Sequence, residues 1–588
     1  MKNIETPEKK HLEAIINDLR EGKYGIPDFQ RDFEWNPWDV NELIKSIFED
    51  YYIGTLLLWK ASSENIEYLS CKPIYGTNDH SRYEHIILDG QQRLSALYYA
   101  FFAPDKNFPR RKSKFYYYID IEKLLNNNYD EAFDYLVASK KTDNLLRDDQ
   151  ALFKQKIFPL KIFGERSHYW SRWLEKYENY WIENGEEKKA KFEREKLEEI
   201  FDSIRNEYYI SYIELDRDIA VEKVCDIFQR INSTGLELNI FDLMNALLRP
   251  KEIHLKSLWM KKVNEFNGKL PNTDKGKIYV LQTMSILKQG YCAPKFLYYL
   301  IPNSQKSIKA EGGKLEKITL INSSEEFLEL WEKAISQMLA SLKIINNHSD
   351  LAVINQKYFP YPTMLPIFTA LNIEKGNSLY QDKKGIEDKI RFWYWSSIFT
   401  KNYSSSIESQ AAKDFVEMKA WFLNDDNIPV VVKEARKTYT NLDLKTEEFQ
   451  SSAIYKAIFC ILIKEGAKDF ETYQDPLYSI LEDHHIVPKS WGLRNHIRGI
   501  NSILNRTPIS DNTNKKIIQD KLPAIYLTAM FKKARSKQNV YNLLRSHLIS
   551  EEMVEILQKK DFGEDDFNKF ASLRQELILE KIKSLIGV

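Results

Sequence analysis

The sequence predicts an α+β, helix-rich protein built in three consecutive parts. Three observations carry that prediction. Strand and helix signals alternate over residues 1–250, apolar periodicity is mostly helical over 251–470, and a short His/Asn-rich segment interrupts the helical pattern of 471–588. At 588 residues the chain exceeds what one hydrophobic core serves, so several domain-sized units are expected. Hydrophobic residues make up 43% and charged residues 29%, the balance of a globular protein rather than a disordered one.

In the first part, Asn36-Pro37 reads as a helix cap followed by proline in the first turn. Val40, Leu43, Ile44, Ile47 and Phe48 then recur at helical spacing. Ile53–Trp59 reads as a buried strand. His85–Leu88 reads as another that ends at Asp89-Gly90, and a helix is expected from Gln91 to Phe102. Residues 130–207 are expected as a helical insertion; within it Glu186–Glu199, dense in Glu and Lys, reads as a solvated helix. Ala220, Val224, Ile227, Phe228 and Ile231 mark one face of a later helix, ended by the turn Asn232–Gly235. Asn239 is placed to cap the next. The middle part, with clusters such as Phe392–Trp395, reads as an α-helical connector.

Composition narrows the function classes. Lys+Arg and Asp+Glu are both 85, so any nucleic-acid surface has to be a local patch. Cys71, Cys225, Cys292 and Cys460 form no C-x-x-C pair, which argues against a four-cysteine zinc site and a disulfide framework. The N-terminus has no signal-peptide pattern and no apolar run is long enough for a membrane span. A cytoplasmic protein without a membrane partner is expected.

The most informative stretch is Glu482–Lys489, with Asp483, His484 and His485 before Ile-Val-Pro. Asn505, Arg506 and Asn514 follow. Phosphodiester hydrolysis needs a base for water and a cation at the leaving oxygen. A neutral imidazole supplies the first, and carboxylate, imidazole and amide oxygen together hold a hard divalent ion with open positions. From His484 to Val540 there are eleven Lys/Arg and two acids, a net +9 inside a neutral chain. That patch suits phosphate-backbone contact, with Lys489, Arg506, Lys515 and Lys516 as the candidate DNA-binding residues.

This stretch resembles the HNH endonucleases, whose ββα-metal fold carries the catalytic pair on its first strand. The resemblance implies His485 as the base, His484 as a metal ligand, Asn505 as the residue that steadies the hairpin, and Asn514 as the last ligand. It departs from the family in ending on Asn rather than His and in lacking zinc-knuckle cysteines. Strand alternation places Asp483, not His484, on the face of His485, so Asp483 is a reserve ligand.

Three N-terminal segments share a polar vocabulary: Ile26–Arg31 with Gln30 and Arg31, Leu88–Arg93, and Phe228–Gly235 with Gln229, Arg230 and Asn232. In the second, Asp89, Gly90, Gln91, Gln92 and Arg93 sit between a strand and a helix. Glycine there lets backbone approach a ligand, the helix start offers N–H groups, and arginine offers a bidentate fork. On spacing alone, Asp-Gly at a strand end reads as readily as a simple turn. The three segments resemble the ParB/sulfiredoxin-like domain of GmrSD-type modification-dependent restriction enzymes, which pair it with an HNH-type nuclease. That resemblance covers about residues 10–250 and 470–540. It implies binding and hydrolysis of a nucleoside triphosphate (GTP, ATP or another), a divalent metal (Mg²⁺ or Mn²⁺), DNA as partner, and restriction of foreign, often modified, DNA. A homodimer is left open. The competing readings are a ParB-like DNA-binding regulator with a vestigial nuclease, and an intracellular toxin-like nuclease.

Overall fold

The structure is a computed structural model. It describes residues 7–28, 30, 32–77, 82–219, 223–224, 227, 240–309 and 315–588. The chain divides into two compact units, Met1–Glu252 and Ile253–Val588. The fold class is α+β and helix-rich, with its mixed sheet in the first unit.

That sheet has six strands: β1 (Glu8–His11), β2 (Tyr24–Ile26), β3 (Leu56–Lys60), β4 (Lys72–Pro73), β5 (His85–Asp89) and, from much later in the chain, β9 (Tyr209–Leu215). Their order is β1-β9-β3-β5-β2-β4, with β3 parallel to β9 and β2 parallel to β5. The central strands are buried on both faces, which is why their sequences are continuous apolar runs rather than alternating ones. Leu56, Leu58 and Ile87 join one core with the helices α1 (Leu12–Arg20), α2 (Pro37–Phe48) and α3 (Gln91–Phe102). Leu57, Trp59, Ile86 and Leu88 join a second core on the other face. Asn36 forms the expected capping box, with Asp39 reaching back to its N–H.

Strand β3 starts three residues later than expected. Gly54 has φ +92°, and a Cβ there would lie 2.6 Å from Nη1 of Arg93. The backbone turns at this glycine to admit the guanidinium.

The segment 130–207 is not wholly helical. Strands β6 (Phe115–Asp120), β7 (Phe133–Val137) and β8 (Ile157–Pro159) form a small antiparallel sheet in the order β7-β6-β8. Around it lie α4 (Lys140–Arg147), α5 (Leu160–Phe163), α6 (Ser167–Glu183) and α7 (Glu187–Asn206). The charge-rich helix α7 is solvated along one side only. Glu193 is buried, accepting from Tyr177 at 2.6 Å and Lys156 at 2.9 Å, and Arg205 is buried against Glu13. Of the later helical face, Ala220, Phe228 and Ile231 lie outside the described residues, as do the turn Asn232–Gly235 and Asn239.

Among the described residues the second unit's regular structure is helical apart from two hairpins. The first, β10 (Gln305–Lys309) with β11 (Leu315–Thr319), breaks the expected all-helical middle. The aromatic cluster falls on α8 (Lys383–Phe399), where Trp393, Tyr394 and Trp395 are all buried. Helix α9 (Ala453–Lys464) is apolar on nearly every face and runs through the interior. The second hairpin, β12 (Glu482–His485) with β13 (Arg506–Ile509), is followed by a short helix, α10 (Asp511–Thr513), that opens into a π turn over Asn514–Ile518. The long C-terminal helix α11 (Glu564–Leu585) sends Phe567 and Phe570 into the core that holds Ile486, Val487 and Ile509. Among the described residues no helix is long and apolar enough to cross a membrane.

Candidate functional site

In the first unit the segment Leu88–Arg93 is the strand-turn-helix that the sequence predicts. Gly90 stands at φ +96°, and its missing Cβ leaves room for Leu56, whose Cδ2 would be 2.3 Å away. Among the described residues no side chain caps α3, which leaves its first N–H groups for water or a ligand. Arg93 is already engaged. Its Nη1 donates to the Ile53 carbonyl at 3.0 Å, and its Nη2 to the Thr55 carbonyl at 3.1 Å and to Asp89 at 3.0 Å. Gln92 bridges outward, donating to the Asp32 carbonyl and accepting from Glu34 N–H, each at 2.9 Å. Gln30 is buried and donates to the carbonyls of Ile87 and Leu88 on β5. Gln91 is buried and accepts from Gln92. The polar motif therefore clamps the 30–34 and 53–55 loops around the start of α3. Arg249, absent from the sequence reading, ties the end of this unit to Asp28 at 3.0 Å. Arg31, Gln229, Arg230 and Asn232 lie outside the described residues.

In the second unit the hairpin pairs Asp483 with Pro508, His484 with Thr507 and His485 with Arg506. Asp483 points inward, and its carboxylate is saturated. It accepts from Tyr358 Oη at 2.7 Å, from Gln450 at 2.8 and 2.9 Å, from Tyr455 Oη, and faces Arg506 at 3.4 Å. Tyr358 Oη also accepts from the Asp483 N–H at 3.1 Å. Burial alone would raise the Asp483 pKa, but the hydrogen bonds of Tyr455, Tyr358 and Gln450 and the Arg506 charge outweigh it and hold it below the ordinary value.

His485 lies on the same side, with Nε2 3.2 Å from Asn501 Oδ1. The amide oxygen only accepts, so the imidazole carries its proton on Nε2 and keeps the Nδ1 lone pair available. Burial, then the Arg506 charge, push its pKa down to about 4. Asn505 is fully buried and ties the loop after β12. It accepts from Val487 N–H at 2.8 Å and donates to the carbonyls of Val487 and Ile500, both at 2.9 Å.

His484 faces away from Asp483. Its Nε2 is buried with no hydrogen-bond partner among the described residues, and burial lowers its pKa. Asp511 acts on it electrostatically from the first turn of α10. Asn514, three residues on, shares that helical face and begins the π turn, a geometry frequent at functional sites. An orphaned imidazole nitrogen under the influence of a carboxylate is a donor pair that a hard divalent ion keeping several waters could use. No three His, Cys, Asp or Glu side chains that could hold a metal ion converge among the described residues. Of the four basic candidates, Lys489 is exposed. Lys515 pairs with Asp511 at 2.5 Å and Lys516 with Glu471 at 3.1 Å, while Arg506 is turned inward to Asp483.

Residues 12–249 match the family model described as the GmrSD restriction endonuclease N-terminal domain. An uncharacterized protein of Methanocaldococcus jannaschii is 30% identical over 634 aligned residues, covering 98% of this chain and 99% of the relative. The chain belongs to the GmrSD family. This is a restriction-type nuclease family, for which DNA is the partner.

Several residues of this GmrSD chain that shape the hairpin gave no signal in the sequence. Tyr358, Gln450 and Tyr455 lie in the segment read as a connector, yet they hold Asp483. Asn501 and Asp511 were legible only as neighbours of the motif. His547 is fully buried, donating from Nε2 to the Lys468 carbonyl at 2.7 Å and accepting at Nδ1 from Thr507 on β13.

These buried imidazoles make stability pH-dependent. Burial depresses the His547 pKa to about 3 and the His485 pKa to about 4, both below the ordinary 6.5. Above that value neither state is protonated. Below it the unfolded chain binds protons that the folded chain does not, so stability falls from pH 6.5 downward. Each such histidine contributes a loss of about 1.4 kcal/mol per pH unit. His547→Gln should therefore lose about 2 kcal/mol less than the wild type between pH 6.5 and 5, read from urea midpoints at the two pH values. Parallel curves for the two proteins would contradict the assignment.

Proposed function

We propose that this GmrSD-family chain is a nucleotide-regulated, metal-dependent HNH-type DNA endonuclease acting in restriction of foreign DNA. The observation that carries the reading is His485: neutral, with Nε2–H committed to Asn501 and Nδ1 left to accept a proton. Held this way, Nδ1 takes a proton from the attacking water without first having to lose one of its own. Asn505 and the Tyr358–Asp483–Tyr455 network keep the strand and the loop after it in place, so the imidazole does not swing. His484, Asp511 and Asn514 would hold a divalent metal, with Asp483 occupied in positioning instead. When bound, Mg²⁺ or Mn²⁺ supplies charge stabilisation at the scissile phosphate. Lys489, Lys515 and Lys516 attract the backbone, and Arg506 acts on His485 through its charge.

In the first unit, nucleotide phosphate meets the uncapped start of α3 at Gly90–Gln92, with NTP hydrolysis at the same place. Arg93 shapes this site by pinning the Ile53–Thr55 loop to the helix start. Arg93→Ala should lower NTP affinity by about a hundredfold and remove the NTP dependence of plasmid cleavage. Lysine cannot bridge two carbonyls and a carboxylate as a planar fork does, so Arg93→Lys should recover little. The test is cleavage of modified and plain plasmids by the full chain, with and without each NTP and each metal. No cleavage under any combination would sink the nuclease reading. Unaltered NTP response in Arg93→Ala would sink the switch alone.

A further inference from the structure

The first unit contains a cavity of about 790 Å³ that the nuclease reading does not use. It lies between the C-terminal end of α3 (Ala100, Ala103), strand β6, and helices α4, α5 and α6. Its first lining residue on α3, Ala100, lies ten residues beyond Gly90, about 15 Å along the helix at 1.5 Å per residue. Its size is that of a small-ligand site.

The lining is basic and aromatic together. Lys114, Arg147, Lys161 and Arg172 face the cavity, and among the described residues none of them has an ion-pair partner within 4 Å. A fifth cation, Lys176, is already paired with Asp149 at 3.0 Å. Three carboxylates also line it, and one of them, Asp143, accepts from Tyr116 Oη at 3.3 Å. Lys114 is half-buried and stands 4.9 Å from the Tyr116 ring centroid, and its desolvation lowers its pKa. Asp105 and Asp143 act on it electrostatically, but among the described residues neither pairs with it within 4 Å, and a partly desolvated cation with no direct partner favours an added anion. Tyr169 lines the same cavity and is 51% exposed, so its ring is open to a ligand. Unpaired cations ask for phosphate, and accessible aromatic rings ask for a flat heterocycle.

We propose that this cavity is a second nucleotide site, separate from Asp89–Arg93, that takes phosphate on Lys114, Arg147, Lys161 and Arg172 and a base against Tyr116 and Tyr169. The nucleotide is either free or turned out of a DNA strand. Both present the same chemistry to the wall.

The test uses the full-length protein with two probes, fluorescent GMP and a labelled single-stranded tetranucleotide, with guanosine as the phosphate-free control. Arg147 and Arg172 are exposed, so Arg147→Glu/Arg172→Glu reverses charge at little cost to the fold. Leu146→Trp fills the space and leaves every charge in place. Each variant is checked for folding by circular dichroism. Both should weaken the bound probe by about tenfold or more, whereas Arg93→Ala should leave that component unchanged. Loss of GMP binding assigns a free nucleotide; loss confined to the tetranucleotide assigns a DNA strand. Binding by both variants at wild-type affinity, guanosine binding as well as GMP, or no binding of either probe to the wild type would overturn the proposal. None of these outcomes depends on cleavage, so the nuclease reading stands or falls separately.

Discussion

Replacing His485 by alanine is expected to lower metal-dependent DNA cleavage by about 10²–10⁴-fold while the protein stays folded and still binds DNA. The side chain is only partly buried and bonds to one partner, Asn501, so its removal leaves no buried group stranded in the core. In the proposed mechanism what is lost is the lone pair that accepts the proton of water. The low pKa of the imidazole gives this expectation a second readout. A free imidazole would shut cleavage off below pH 6.5, whereas here the acid limb of kcat/KM should fall near pH 4. Arg506 stands directly across the hairpin and its charge is the second cause of that shift. Arg506→Gln should therefore move the acid limb upward toward the ordinary histidine value. Full activity of purified, metal-replete His485→Ala would remove His485 from the chemistry. An acid limb that ignores Arg506 would show that a different group titrates.

What the sequence made legible follows from the range of the interactions. The Gly90 turn and the helix Gln91–Phe102 depend on neighbours within a few residues, and they appear where the pattern places them. The same holds for Asn36-Pro37. The strands β7 and β8 were not legible, because their pairing with β6 is long-range and the segment around them is rich in helix formers. The motif residues were legible as a set but not in their partners. Nothing in the spacing indicates that Arg93 reaches the carbonyls of Ile53 and Thr55, some forty residues earlier. Nor does it indicate that Asp483 is saturated by Tyr358 and Gln450 from a region with no chemical motif of its own. Alternation along β12 correctly separates His484 from Asp483. It does not reveal which of them keeps a free ligand atom, because that depends on what packs against each face.

The deepest charge in the second unit yields the largest expected loss of stability. Arg574 on α11 is fully buried, and no carboxylate pairs with it among the described residues. Its Nη1 donates to the carbonyls of Leu504 and Arg506, both at 2.7 Å, and its Nη2 to the His547 carbonyl at 2.9 Å. Burial lowers its pKa to about 9, so it stays charged at neutral pH. The three carbonyls belong to the turn before β13, to β13 itself, and to the residue that bonds Thr507 on that strand. One guanidinium thus fastens the C-terminal helix to the strand that faces His484 and His485. Arg574→Ala strands three buried acceptors and opens a cavity, which together should cost about 3–5 kcal/mol. Lysine reaches fewer carbonyls than the fork does, so Arg574→Lys should be destabilised by an intermediate amount. The urea midpoint reads both, and cleavage at low temperature by whatever fraction remains folded reads the hairpin geometry. An Arg574→Ala protein with wild-type midpoint would mean that water or another donor satisfies those carbonyls and that α11 is held by its apolar face alone.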